Sequence, residues 1–182
     1  MEVFEAIRIR RSVRAYKSTP VPREKLLRIL EAGRLAPSAG NIQPWHFIVV
    51  TDPSIREKLS RSGMFARFLA EAPVVIVGCG DMKASPKWHV VDTAIAMQNM
   101  VLAATAEGLG TCWVGSFNEE QVKRLLKIPE RFKVVALLAV GYPREKFDFA
   151  GKFLHLIRRR KKLSEIVSFE EFGKLLQAVE EL

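Results

Sequence analysis

The chain predicts a mixed domain, α/β or α+β, built round a central sheet, and three observations lead there. Short β-branched and aromatic runs recur along it: "WHFIVVT" (45–51), "APVVIVGCGD" (72–81) and "FKVVALLAVGYP" (132–143). Each is short for a helix and is bounded by proline, glycine or aspartate. Segments with helical spacing of apolar residues lie between these runs, so strands and helices alternate. No glycine-rich phosphate turn follows any strand, because "GCGD" and "GLGTCWVG" both lack the GxGxxG spacing of a dinucleotide-binding domain.

Taken in order, the first helix is expected over Val3 to Arg8. "VPREKLLRILEAGRLAPS" (21–38) reads as a second, with Pro22 at its first turn and an apolar stripe at Leu26, Leu27, Leu30 and Leu35. Pro37 and Gly40 end it. "DPSIREKLSRS" (52–62) places an Asp cap ahead of Pro53. The segment from Lys87 to Gly108 is the longest helix expected, and its apolar residues fall on several faces. A helix apolar nearly all round is buried nearly all round, by the core or by a second subunit. "TCWVG" is extended, "NEEQVKRLLKI" is a capped helix, and the basic "IRRRKKL" leads into an amphipathic helix, "SFEEFGKLLQAVEEL". No linker or internal repeat interrupts the chain, so one domain is expected over 1–182.

At 182 residues such a domain can bury a real core. An apolar content of 48% with 27% charged residues excludes a disordered or fibrous chain. The net charge of +9 favours anionic partners without choosing among a small cofactor, nucleic acid and an acidic membrane. Cys79 and Cys112 form no CxxC and have no histidine at ligand spacing. Neither a disulfide framework nor a metal site is expected, and a reducing cytoplasm is the expected setting. "MEVFEAIRIRRS" lacks the apolar core of a signal peptide. Asp92, Gln98, Asn99 and Glu107 interrupt the longest apolar run, which argues against a membrane span.

Four stretches hold more chemistry than a scaffold needs. In "RRSVR" (10–14), Arg10 and Ser12 project the same way from an extended segment and offer a guanidinium and a hydroxyl to one phosphate; taken alone, a solvated basic face explains them as well. In "PSAGNIQPW" (37–45), Gly40 permits a positive φ and Pro44 holds Gln43 extended. Ser38, Asn41 and Gln43 there supply polar groups suited to a heteroaromatic edge. The glycines of "GLGTCWVGSF" (108–117) let backbone approach something flat, though a helix cap followed by a strand accounts for them too. "RRRKK" (158–162) reads as a charge run or a nucleic-acid patch.

The order and spacing of "RRSVRAYKSTPVPREKLLRILEAGRLAPSAGNIQPWHFIVVTDP", "DTAIAMQNMVLAATAEGLGTCWVGSF" and "VVALLAVGYP", with the basic tail, resemble the FMN-dependent nitroreductase family. The resemblance implies an α+β fold with a mixed or antiparallel central sheet and an intertwined homodimer. FMN lies at the dimer interface, and the tail from about residue 151 packs on the partner. Carried onto this chain, it makes Arg10 and Ser12 phosphate ligands, places Arg11 on the ribityl side and sets Arg14 near the pyrimidine edge. Pro37, Ser38, Ala39 and Asn41 come from the partner subunit against the ring. Val114, Gly115 and Ser116 cover one ring face and offer a backbone N–H to flavin N5, while Arg158 and Arg160 close on the phosphate.

The implied activity takes hydride from NAD(P)H and passes it to a small-molecule acceptor, a nitroaromatic, quinone or similar compound, by a ping-pong cycle. No catalytic side chain is needed, and His46, His89 and His155 form no nucleophilic arrangement. The segment between Ser60 and Ala72 is short for the family, and "SRSGMFARFLAEAP" has no match to the Asn and Lys with which larger members touch the cofactor. Lys162 stands where many relatives have proline. Competing readings are a flavin-holding protein without turnover and a specialised family branch (dehalogenase, oxidase or flavin-modifying). A nucleic-acid module ranks below both, because no RNA- or DNA-binding signature is present.

Overall fold

A computed structural model describes residues 1–144 and 160–174. The chain divides into two compact units, residues 1–145 and 146–182. The first unit holds α1 (Val3–Ile9), α2 (Arg23–Arg34), β1 (Trp45–Val50), α3 (Pro53–Ser60) and β2 (Val74–Asp81). It continues through α4 (His89–Ala106), β3 (Gly110–Val114), α5 (Glu119–Leu126) and β4 (Phe132–Gly141). The four strands form one antiparallel sheet in the order β1-β2-β4-β3, so β1 and β3 are its edges.

Alternation along the inner strands divides the core between the two faces. Val75, Val77, Leu137 and Ala139 point to one face, where α3 and α5 contribute Leu59 and Val122. Val74, Ile76, Leu138 and Val140 point to the other, against Ile29 of α2 and Met97, Met100, Val101 and Ala104 of α4. Both faces are covered, which is why β2 and β4 read as unbroken apolar runs. A bulge interrupts the pairing: Gly78 faces Ala136 and Cys79 faces Val134, leaving Val135 as the extra residue.

Caps follow the expected chemistry. Asp52 Oδ1 accepts the Ser54 and Ile55 N–H groups at 2.8 and 3.0 Å, and Asn118 Oδ1 accepts the Gln121 N–H at 2.9 Å. The apolar stripe expected on α2 needs correction. Leu27 and Leu35 are exposed, and Ile29 and Gly33 are the buried positions, because α2 lies against α4. Arg28 fixes that packing with a forked pair to Glu107 (2.5 and 3.0 Å), and the Lys25 ammonium donates to the Glu107 carbonyl at the end of α4.

Within this chain the core covers one side of α4, part of the all-round cover expected from the core or a second subunit. Ala96, Met97, Met100 and Ala104 are inaccessible, whereas Val90, Val91 and Ile95 lie open. The helix α1 packs on α4 and leaves Val3, Phe4 and Ile7 exposed, Phe4 by 80%.

In the second unit, the helix expected from Ser168 onward is absent over the described residues 168–174. Gly173 has φ 88° and Glu170 φ 64°, and the Ser168 hydroxyl accepts the Gly173 N–H at 3.0 Å. A serine and a glycine close a local turn that competes with the helix ladder. A single 3-10 turn, Leu163–Glu165, precedes it. Residues 175–182 of that expected helix lie outside the described residues.

Candidate active site

The arginine segment leaves α1 at Arg10, whose N–H still donates to Ala6 O, and then runs along the free edge of β3. Ser12 bridges Thr111 in parallel register, and the Val13 N–H donates to Thr111 O at 2.8 Å. Tyr16 bridges Pro143 and is buried, and its hydroxyl donates back to Val13 O at 2.5 Å. Desolvation raises the Tyr16 pKa far above the ordinary phenol range. The phenol therefore stays neutral and serves as a fixed donor that pins the turn.

Pairing of the segment sets Arg10, Ser12 and Arg14 along the edge of β3 beside Thr111 and Cys112. Burial pushes the Cys112 thiol up, while the Arg14 charge, a hydrogen bond from Ser12 and the Arg10 charge pull it down. The Arg10 and Arg14 charges thus lie near enough to Cys112 to act on its thiol. Ser12 and Arg14 are exposed, Arg10 is half-buried, and none of the arginines from Arg10 to Arg14 makes an ion pair among the described residues. The Arg10 guanidinium and the Ser12 hydroxyl form a donor set suited to a phosphate, and Arg14 adds a second cation further along the same segment.

At the other end of β3, Val114 is buried and Gly115 and Ser116 are exposed. A side chain placed on Gly115 would meet nothing within 4 Å, so a flat group has room to reach this backbone. The segment 61–70 supports the strand end from behind. Asn118 N–H donates to Ser62 O at 2.7 Å, and Gly63 lies against the Ser116 carbonyl. Arg56 holds the return of that segment by donating to Ala70 O and Ala72 O at 2.8 and 2.5 Å. Met64 and Phe65 are 81% and 72% exposed, beside an open hollow of about 580 Å³ lined in part by Arg61 and Arg67. These residues were missed by sequence reasoning, which found only a segment short for the family.

The Pro37–Asn41 loop lies elsewhere. It leads into β1, the opposite edge of the sheet from β3, three strand spacings or about 14 Å away. Gly40 has the expected positive φ of 58°, and Asn41 follows at 53°. Gln43 contradicts the extended conformation expected ahead of Pro44, with φ 54°. Left-handed backbone at a residue such as Gln43 costs on the order of 1 kcal/mol and persists only where its surroundings hold it. Here the Gln43 N–H donates to Ser38 Oγ at 2.9 Å, and its amide donates to Asn41 O and Oδ1, both at 3.2 Å. The Ala39 N–H donates to Asp92 Oδ1 at 3.2 Å.

Among the remaining expected residues, Arg11 is exposed beside the cradle. Arg160 is exposed in the second unit, and Arg158 and His155 lie outside the described residues. His46 is exposed, and His89 is buried with Nδ1 2.8 Å from Ser85 O. Among the described residues no acidic, histidine or cysteine cluster suits a metal ion, and no helix is long and apolar enough to cross a membrane.

The sequence matches the model of the nitroreductase family over residues 7–64 and 61–142, and the chain belongs to that family. It is 40% identical over 81% of its length to an Archaeoglobus fulgidus protein, covering 89% of that protein, whose name offers NADH dehydrogenase and NAD(P)H nitroreductase as its activities. A crystal structure from Parabacteroides distasonis with the same double name superposes with a TM-score of 0.83 at 32% identity, covering 93% of this chain and 98% of the other. The FMN-dependent nitroreductase of Clostridium difficile superposes with a TM-score of 0.79 at 29% identity, over 93% and 99% of the two chains.

Proposed function

We propose that this chain is an FMN-dependent oxidoreductase acting as a cytoplasmic homodimer. It takes hydride from NAD(P)H and reduces a nitroaromatic, quinone or similar acceptor in a ping-pong cycle. The observation that carries this reading is the pairing of the Arg10–Arg14 segment with the free edge of β3, the strand whose far end opens at Gly115. The names of the relatives, NAD(P)H nitroreductase and FMN-dependent nitroreductase, support it.

When bound, FMN supplies the redox chemistry, accepting hydride from a nicotinamide and delivering it to the acceptor. The chain supplies binding, orientation and charge. Arg10 and Ser12 would hold the phosphate, Arg11 would lie on the ribityl side, and Arg14 would face the pyrimidine edge. A guanidinium at that edge favours negative charge on the ring. Val114, Gly115 and Ser116 would lie along one face, with the unobstructed backbone of Gly115 as a hydrogen-bond donor. The partner's Pro37, the partner's Ser38, the partner's Ala39 and the partner's Asn41 would complete the ring site. Arg158 and Arg160 would close on the phosphate.

Two features support the homodimer. The two halves of the site stand on opposite edges of one sheet, so a single chain presents them apart. Val3, Phe4 and Ile7 of α1 and Val90, Val91 and Ile95 of α4 form an exposed apolar surface suited to a second copy. The free thiols of Cys79 and Cys112 suit a reducing compartment.

The test is an absorbance spectrum of the purified protein followed by anaerobic NADH and NADPH. A yellow protein bleached by either nicotinamide and recoloured by a quinone or nitro compound is the expected result. A colourless protein indifferent to added FMN overturns the reading. A yellow protein that neither nicotinamide bleaches is a flavin holder without turnover.

A further inference from the structure

The start of α4 carries an acid for which packing offers no reason. Asp92 is 3% exposed on a helix whose neighbours are mostly apolar, and burying a carboxylate is costly unless hydrogen bonds compensate. Its Oδ1 accepts the Ala39 N–H at 3.2 Å, and its Oδ2 has no partner among the described residues. Gly80 allows no side chain between β2 and this end of α4, since a Cβ there would stand 2.8 Å from His89 O. The helix end is therefore fixed to the sheet, and Asp92 extends that fixed point to the loop.

What it holds is a loop that does not rest in a relaxed conformation. Gly40, Asn41 and Gln43 are all left-handed, and the loop's bonds of Ser38 with Gln43 and Asn41, of Ala39 with Ile42 and of Gln43 with Asn41 are internal. Internal bonds fix the shape of a loop but not its position. Among the described residues, the Asp92–Ala39 bond is the side-chain hydrogen bond that ties 38–43 to the domain.

We propose that Asp92 is a positioning residue for the flavin site, anchoring the Ala39 amide so that Ser38 and Asn41 meet the ring at a set height. The proposal rests on the reading of Pro37–Asn41 as part of that site. It adds a residue that touches neither cofactor nor substrate and acts through the backbone of the loop.

The experiment compares Asp92→Ala and Asp92→Asn with the parent, by hydrogen exchange of the Ala39 amide in the flavin-free protein and by FMN titration. The asparagine keeps an oxygen that can accept the Ala39 N–H. The expected result is at least tenfold faster exchange at Ala39 and about tenfold weaker FMN binding in the alanine variant, both largely restored by asparagine. Unchanged exchange in Asp92→Ala overturns the anchor. Faster exchange with unchanged FMN affinity overturns its role at the site. An asparagine variant that behaves like alanine also overturns it, because the acceptor survives there. If the parent protein itself fails to bind FMN, the flavin-site reading has failed and the positioning role falls with it, while the exchange data still judge the anchor.

Discussion

Gly63 rests against the Ser116 carbonyl so closely that a Cβ at position 63 would collide with that oxygen. This contact props the end of β3, next to Gly115, where an added Cβ would meet nothing within 4 Å. Gly63→Ala must push the Ser116 backbone forward. We expect a loss of about 1–3 kcal/mol in stability from the forced overlap, with weakened FMN binding. Thermal unfolding and flavin titration of the variant check both.

Arg14 is expected to matter for the cofactor rather than for the fold, since it is exposed and makes no ion pair among the described residues. Arg14→Ala should leave the unfolding temperature nearly unchanged. FMN retention should fall about tenfold, the scale of one lost charged hydrogen bond, or flavin reduction should slow. Stopped-flow reduction beside equilibrium titration separates the two. Unchanged behaviour in both would remove Arg14 from the site.

The apolar surface on α1 and α4 makes a prediction about assembly. Phe4→Asp and Ile95→Asp place a charge on exposed positions of that surface, 80% and 37% accessible. Both variants should sediment as folded monomers and lose bound flavin together with the dimer. A monomer that keeps its flavin would show that one chain completes the site.

The two thiols set a pH dependence. Burial pushes Cys79 up to about 11 from an ordinary 9.0, and burial also raises Cys112. The folded state thus keeps protons that the unfolded state releases first, so stability is full below pH 9 and falls as pH rises from 9 towards 11. Unfolding temperatures across that range check the direction. At pH 7.5 both thiols should resist alkylation in the native protein and react after denaturation, as mass spectrometry would show.

Much of this was legible in the sequence. The strand runs were visible because β2 and β4 are buried on both faces, and the caps at Asp52 and Asn118 because capping is local. Arg10, Ser12 and Arg14 could be grouped because a single extended segment carries them. Asp92 left only a faint signal, an acid in an apolar helix, and its bond partner lies fifty-three positions away. Leu27 and Leu35 were misjudged because helical spacing names a stripe without saying how wide a neighbour covers it. The turn at Ser168–Gly173 defeated the periodicity beside it, since one serine hydroxyl and one glycine with positive φ outcompete a short helix.

By itself the sequence determined the strands and helices of the first unit and the residue types each stretch offers, because periodicity, caps and neighbouring charges act within a few residues. Tertiary structure alone decided that Ser12 lies beside Thr111, that Gly63 backs Ser116, and that Pro37–Asn41 stands at the far edge from the arginines. These relations depend on strand order and on contacts between distant segments. Only closure of the whole sheet selects them.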